Sequence, residues 1–180
     1  MHEIDRIVFS EDAITARVKA LGDRISHDYA GRDVVIISIL KGAVLFTADL
    51  IRHITLPATI EFIRAASYGN ATESSGDIKL EQDSIADVRG RHVLLVDTII
   101  DSGATMSHLI NYFSEKRPAA IQVVVLLDKK IRRTADVSVA YVGFEIPDMF
   151  VVGYGMDCGE RYRNLPYIAA IKQAPFNSPG

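Results

Sequence analysis

The sequence predicts an α/β domain built on a central parallel sheet with helices on both faces. Three observations carry this expectation. Val93 to Val96 is a continuous run of β-branched and leucine residues, and Val34 to Leu40 and Ile121 to Leu127 are runs of the same kind broken only by Ser38 and Gln122, the character of strands covered on both sides. Between them lie segments whose apolar residues recur every three or four positions, as along one face of a helix. The two signals alternate, a rhythm that implies parallel strands whose ligands bind beyond their carboxyl ends.

Each element has its own local reason. Ser10 is placed to cap a first helix, Glu11 and Asp12 suit its positive end, and Ile14, Val18, Leu21 and Ile25 share one face. Asp33 to Leu40 then reads as a buried strand, Ala43 to Ile54 as a helix and Thr59 to Arg64 as an alternating strand. Residues 67–77 lack large aliphatics and carry turn formers, so they predict a long mobile loop. Ile78 and Leu80 alternate with charges, as in a short strand beyond that loop. After the Val93 strand, Met106, Leu109, Ile110 and Phe113 lay a stripe along a helix. Strands over Ile121 to Leu127 and Val137 to Phe144 follow, and residues 173–180, with two prolines, predict a loose tail.

The whole chain bounds the function. Its 180 residues, 48% of them hydrophobic, suffice for one domain with a full core. The net charge of −3 lacks the basic excess of a non-specific nucleic-acid binder, so no nucleic-acid partner is expected. Cys158 is the sole cysteine and can form no intrachain disulfide. No apolar run approaches the roughly 20 residues of a membrane helix, and His2, Glu3, Asp5 and Arg6 interrupt any leader-like core. A soluble cytoplasmic protein with no membrane contact is the expectation. The five histidines show no close metal-ligand spacing.

The most informative segment runs from Val93 to Thr105. A buried strand passes into Asp97, Thr98, Ile99, Ile100, Asp101, Ser102, Gly103, Ala104 and Thr105 and then into a helix. Such a turn aims free N–H groups and the positive end of a helix dipole at one point, which makes it an anion site. Gly103 lets the backbone close around the anion, and the Ser102 and Thr105 hydroxyls add donors. No Gly-Lys-Ser/Thr follows, which excludes a Walker loop, and the three spaced glycines of a dinucleotide fingerprint are missing. Asp101, taken alone, reads as a helix N-cap. Lys41 reads as a solvated lysine beside a turn, Lys129 as a charged strand exit, Arg163 as a surface ion pair, and Tyr141 and Val142 as strand core.

Two polar residues, two aliphatics and Asp-Ser-Gly-x-Thr resemble the phosphoribosyl-pyrophosphate motif of the type I phosphoribosyltransferases. Leu40-Lys41-Gly42, Ser67-Tyr68-Gly69, Leu126-Leu127-Asp128-Lys129, Val142 to Asp148 with Phe150 to Tyr154, and Arg161 to Tyr167 resemble, in order, the motifs of that family's bacterial hypoxanthine (guanine) branch. The likeness covers nearly the whole chain. It implies the type I phosphoribosyltransferase fold, with a small hood from about residues 1–10 and 150–172 and a closing lid over 67–77.

The resemblance also implies roles. Residues Asp101 to Thr105 would hold a 5′-phosphate, and Asp101 would also move a proton near N7 of the purine. Asp97 and Thr98 would meet the ribose hydroxyls, with Asp97 and Asp148 serving magnesium. Thr98 stands where the family usually carries a second acid. Lys41, Gly42, Ser67, Tyr68 and Arg163 would contact pyrophosphate, with a cis peptide between Leu40 and Lys41. Lys129 would donate to the 6-oxo group, Tyr141 would stack on the base, Val142 would offer backbone groups to its edge, and Asp148 would complete the purine site. The implied reaction is magnesium-dependent transfer of phosphoribose from phosphoribosyl pyrophosphate to hypoxanthine or guanine, by a homodimer or homotetramer. A non-catalytic nucleotide sensor on the same scaffold is the alternative that Thr98 keeps open.

Overall fold

A computed structural model describes residues 3–67, 78–81 and 87–172. In chain order the elements are β1 (Ile4–Phe9), α1 (Glu11–Asp28), β2 (Val34–Leu40), α2 (Val44–Ile51), β3 (Ala58–Ser67), β4 (Ile78–Glu81), β5 (His92–Ile100), α3 (Ala104–Ser114), β6 (Ala120–Asp128), β7 (Tyr141–Glu145), β8 (Val151–Val152) and β9 (Ile168–Ile171). A six-stranded sheet has the order β4-β3-β2-β5-β6-β7. Its strands are parallel except β4, which runs antiparallel to β3 at the edge. β1, β9 and β8 form a separate three-stranded antiparallel sheet. Most of the 67–77 segment, including Tyr68, and the 173–180 tail lie outside the described residues.

The period of two along the central strands divides the core. Val34, Ile36, Leu94, Val96, Val124 and Leu126 face a cluster shared with Ile14, Val18, Leu21 and Ile25 of α1 and Phe46 and Leu50 of α2. Val35, Ile37, Val93, Leu95, Val123 and Val125 face the other way, onto Met106, Leu109 and Phe113 of α3. Most central residues are thus apolar because each face has a helix to satisfy, and buried Ser38 of β2 shares a 2.7 Å hydrogen bond with Thr47 of α2. As read from the sequence, the Ser10 side chain caps α1, accepting from Ala13 N at 3.3 Å.

Two expected boundaries shift. β7 begins only at Tyr141, because its pairing with β6 starts at Val124 and the Val137 carbonyl instead accepts from Arg133 Nη1 at 3.2 Å. Val137 is buried without being strand, which an apolar pattern alone does not reveal. α2 stops at Ile51, and the amides of His53 and Ile54 tighten onto carbonyls three residues back.

Phe113 is fully buried where α3 meets the sheet. Phe113→Ala is expected to lower the unfolding free energy by about 3–5 kcal/mol, read from urea titration followed by circular dichroism.

Candidate functional site

The carboxyl ends of β2, β5 and β6 open onto a cavity of about 430 Å³. Lys41 and Gly42 follow β2, and Asp97 to Ile99 with Asp101 come from the end of β5 and its turn. Lys129 and Arg132 follow β6, and Asp148 to Val151, Met156, Asp157 and Arg163 descend from the segment that carries the small sheet. Parallel strands buried on both faces send all these loops to one edge.

The turn after β5 is built around Gly103, whose φ of +85° is a left-handed conformation that suits glycine. A Cβ there would also lie 2.8 Å from the Arg133 side chain. α3 then starts at Ala104 with no side-chain bond from its cap residue Gly103, and the first turn beyond Ala104 aims its amides and dipole outward, as suits an anion. Ser102 Oγ accepts from Ala104 N at 3.3 Å. Ser102 to Thr105 continue from the cavity wall without lining the cavity itself, and Ala104 is exposed.

Arg133 braces this turn from behind. Its Nη2 donates to buried Asp128, and its Nε donates to the Asp101 carbonyl at 3.2 Å. The Thr134 and Ala135 amides both donate to the Ser102 carbonyl at 3.0 Å. A run of charges that reads as solvated surface is therefore structural support for the anion turn.

Charges in the cavity are arranged in opposed pairs. Lys129 is buried, with Nζ 3.5 Å from Asp101 and 4.0 Å from Asp148, and Arg132 Nε holds Asp148 at 2.7 Å. Lys41 pairs with Glu160 at 2.8 Å, which holds the Glu160 carboxyl below its usual range. Arg163 pairs with Asp157 at 2.8 Å and donates from Nη1 to the Gly155 carbonyl. Burial pushes the Asp97 carboxyl up to about 7, even though the Thr98 amide donates to it at 2.7 Å. Two buried polar atoms at the cavity residues have no protein partner: Asp101 Oδ1 and Arg163 Nε. Orphaned atoms of this kind, in a polar cleft, are what a ligand satisfies.

The structure gathers Lys41, Gly42, Asp97, Thr98, Asp101, Lys129, Asp148 and Arg163 on one cavity. The Leu40–Lys41 peptide is cis. Ser67 ends β3, its side chain outside the described residues.

Three expectations need correction. Tyr141 cannot stack on a base, since it is 4% exposed and its hydroxyl donates to Asp28 at 2.8 Å beneath the Arg24 guanidinium. Val142 pairs with Val125 inside the sheet. Both stand at the amino end of β7, the wrong end of a parallel strand for a ligand. Phe150 and Val151 occupy the cavity instead, Phe150 with 46% of its surface exposed, and Ile99 and Asp157 join them. An aromatic followed by two valines, downstream of the last sheet strand, was the available signal. Third, Thr98 does not present its hydroxyl to a ribose, because that group donates to the Gly42 carbonyl at 2.9 Å.

Fold and site define a phosphoribosyltransferase, and comparison with known proteins agrees. The phosphoribosyl transferase domain model matches residues 8–158, and the chain belongs to that family. Within it, the chain is 45% identical to the hypoxanthine-guanine phosphoribosyltransferase of Bacillus subtilis over 177 residues, 98% of each protein. The Streptococcus pneumoniae enzyme of the same name is 41% identical, again over 98% of each. A Bacillus anthracis hypoxanthine-guanine phosphoribosyltransferase crystal structure, with HEPES in its active site, superposes with a TM-score of 0.90 at 47% identity. That match covers 94% of this chain and 100% of the other. A hypoxanthine phosphoribosyltransferase from Staphylococcus aureus gives 0.90 at 37%, covering 94% and 92%.

Arg133→Leu would leave buried Asp128 without its ion-pair partner. A loss of about 3 kcal/mol in unfolding free energy is expected, measured by chemical denaturation near neutral pH.

Proposed function

We infer that the chain is a hypoxanthine-guanine phosphoribosyltransferase of purine salvage, moving phosphoribose from phosphoribosyl pyrophosphate to N9 of the base. The observation that carries the reading is one cavity that sets a lysine between two acids beside an exposed aromatic, with the turn into α3 adjoining its wall at Asp101. The 5′-phosphate is assigned to the turn Asp101 to Thr105, where backbone amides, the helix dipole and the Ser102 and Thr105 hydroxyls converge. The purine is assigned to the space between Ile99 and Phe150, with the Val151 backbone at its edge. Lys129 donates to the 6-oxo group; its burial makes an amino substituent at that position a costly mismatch.

In the transfer, N9 forms a bond to C1′ as the C1′–oxygen bond to pyrophosphate breaks and its electron pair leaves with that oxygen. The base must then lose a proton, and Asp101, with an unpaired carboxylate oxygen, is assigned to take it. Lys41 and Arg163 exchange their carboxylate partners for pyrophosphate oxygens, Arg163 offering its planar fork.

Magnesium fits this donor set. Asp97, Asp148 and Asp157 present hard oxygen donors to one cavity, and a cation beside Asp97 would offset the burial that raises it. Among the described residues no three His, Cys, Asp or Glu side chains group closely enough to hold an ion by themselves. When bound, magnesium would neutralise charge on the departing pyrophosphate. Self-association as a homodimer or homotetramer belongs to the same reading, supported by exposed Val44 and Leu45 on α2 and Ile60 and Phe62 on β3. So does a cytoplasmic setting, supported by the absence of any disulfide pair and, among the described residues, of any helix long and apolar enough to cross a membrane.

Asp101→Asn should reduce kcat for IMP formation by about 10²–10⁴-fold with the KM for phosphoribosyl pyrophosphate little changed. Equal loss in both parameters would make Asp101 structural. Phe150→Ala should raise the KM for hypoxanthine about ten-fold in steady-state assays, whereas Tyr141→Phe should leave that KM unaltered.

A further inference from the structure

The Gly42–Ala43 peptide is held at both poles. Its carbonyl accepts from Thr98 Oγ1 at 2.9 Å, and its N–H donates to the Ile39 carbonyl at 3.2 Å. Gly155 closes over the same carbonyl from the segment above. It sits at φ +94°, and a Cβ there would lie 2.0 Å from Gly42 O. Thr98 itself is 1% exposed at the end of β5. A buried hydroxyl and a glycine without a side chain therefore trap one carbonyl of the loop that carries Lys41.

We propose that Thr98 is a positioning residue for the pyrophosphate half of the site, orienting the Lys41–Gly42 loop through the Gly42 carbonyl rather than binding ribose. The proposal rests on the transferase reading above. A hydroxyl suits this task in a way an acid does not. An ionised carboxylate at position 98 is acceptor-only and would set oxygen against the Gly42 oxygen, losing the bond that orients the loop. Asp97 is then the β5-end group left to meet the ribose hydroxyls. The residue type that departs from the family's usual pair of acids thus has a mechanical reason in this chain.

The pyrophosphate half and the nucleotide half can be probed separately, because pyrophosphate requires the loop and IMP does not. With the full chain and magnesium present, Thr98→Val keeps the shape and removes the donor. It should raise the KM for phosphoribosyl pyrophosphate and the inhibition constant of pyrophosphate about ten-fold, with the calorimetric Kd of IMP within two-fold of the parent. Thr98→Ser, which retains the donor, should restore parental values. Thr98→Ala, which removes the same donor without adding volume, should reproduce the selective loss and decides the matter if Thr98→Val does not fold. A parallel weakening of IMP and pyrophosphate would overturn the proposal in favour of ribose binding. No change in either, or a serine variant that behaves as valine, would overturn it equally. Absence of IMP formation by the unsubstituted chain would sink the transferase reading itself, a result distinct from a uniform loss in the variants.

Discussion

Burial of β5 on both faces is the constraint on which the site depends. Val93 to Val96 are buried between β2 and β6, with α1 and α2 beneath and α3 above. A strand so enclosed has polar backbone groups that only neighbouring strands can pair, and helical crossovers such as α2 between β2 and β3 and α3 between β5 and β6 return the chain so that the strands run parallel. Their loops then emerge at one edge. Asp97, Lys41 and Lys129 come from separate strands and meet because the core leaves them no other place. Packing energy that never touches a ligand sets the geometry of the groups that do.

Within that frame, the site holds its charges in mutual neutrality. Lysines and arginines that suit phosphate oxygens are paired with aspartates and glutamates across the cavity. Such pairs keep flexible cations in place at modest net stabilisation, since the exposed ones are screened by solvent. A substrate carrying several negative charges can replace the carboxylates without leaving any cation unpaired. The buried Asp128–Arg133 pair is different: it holds the back of the anion turn and faces no ligand.

How much of this was legible depended on whether the signal was local. The Asp97 to Thr105 segment could be read because strand, turn and helix start are contiguous, and Gly103 marks the left-handed corner. Lys41, Lys129 and Arg163 were legible from motif likeness, and the cavity contains all three. Tyr141 and Phe150 look alike in the sequence because both are aromatics followed by valine, yet only Phe150 lines the cavity. What separates them is distance along a strand whose start is fixed by register with Val124, a tertiary fact. The Thr98 hydroxyl was equally opaque, since its acceptor lies 56 residues earlier. Arg133 sat in a charged run whose inward member only the fold identifies.

The pairing of β1 with β9 has a further implication for biosynthesis. β9 supplies the hydrogen-bonding partner of the first strand and also of β8, which carries Val151. During translation the six-stranded sheet can be complete once β7 has emerged, whereas the small sheet has no central strand until residues 168–171 leave the ribosome. Nascent chains therefore acquire the anion turn early and the aromatic wall late. Closure of the wall that carries Phe150 and Val151 thus waits on residues 168–171, a timing imposed by strand order alone.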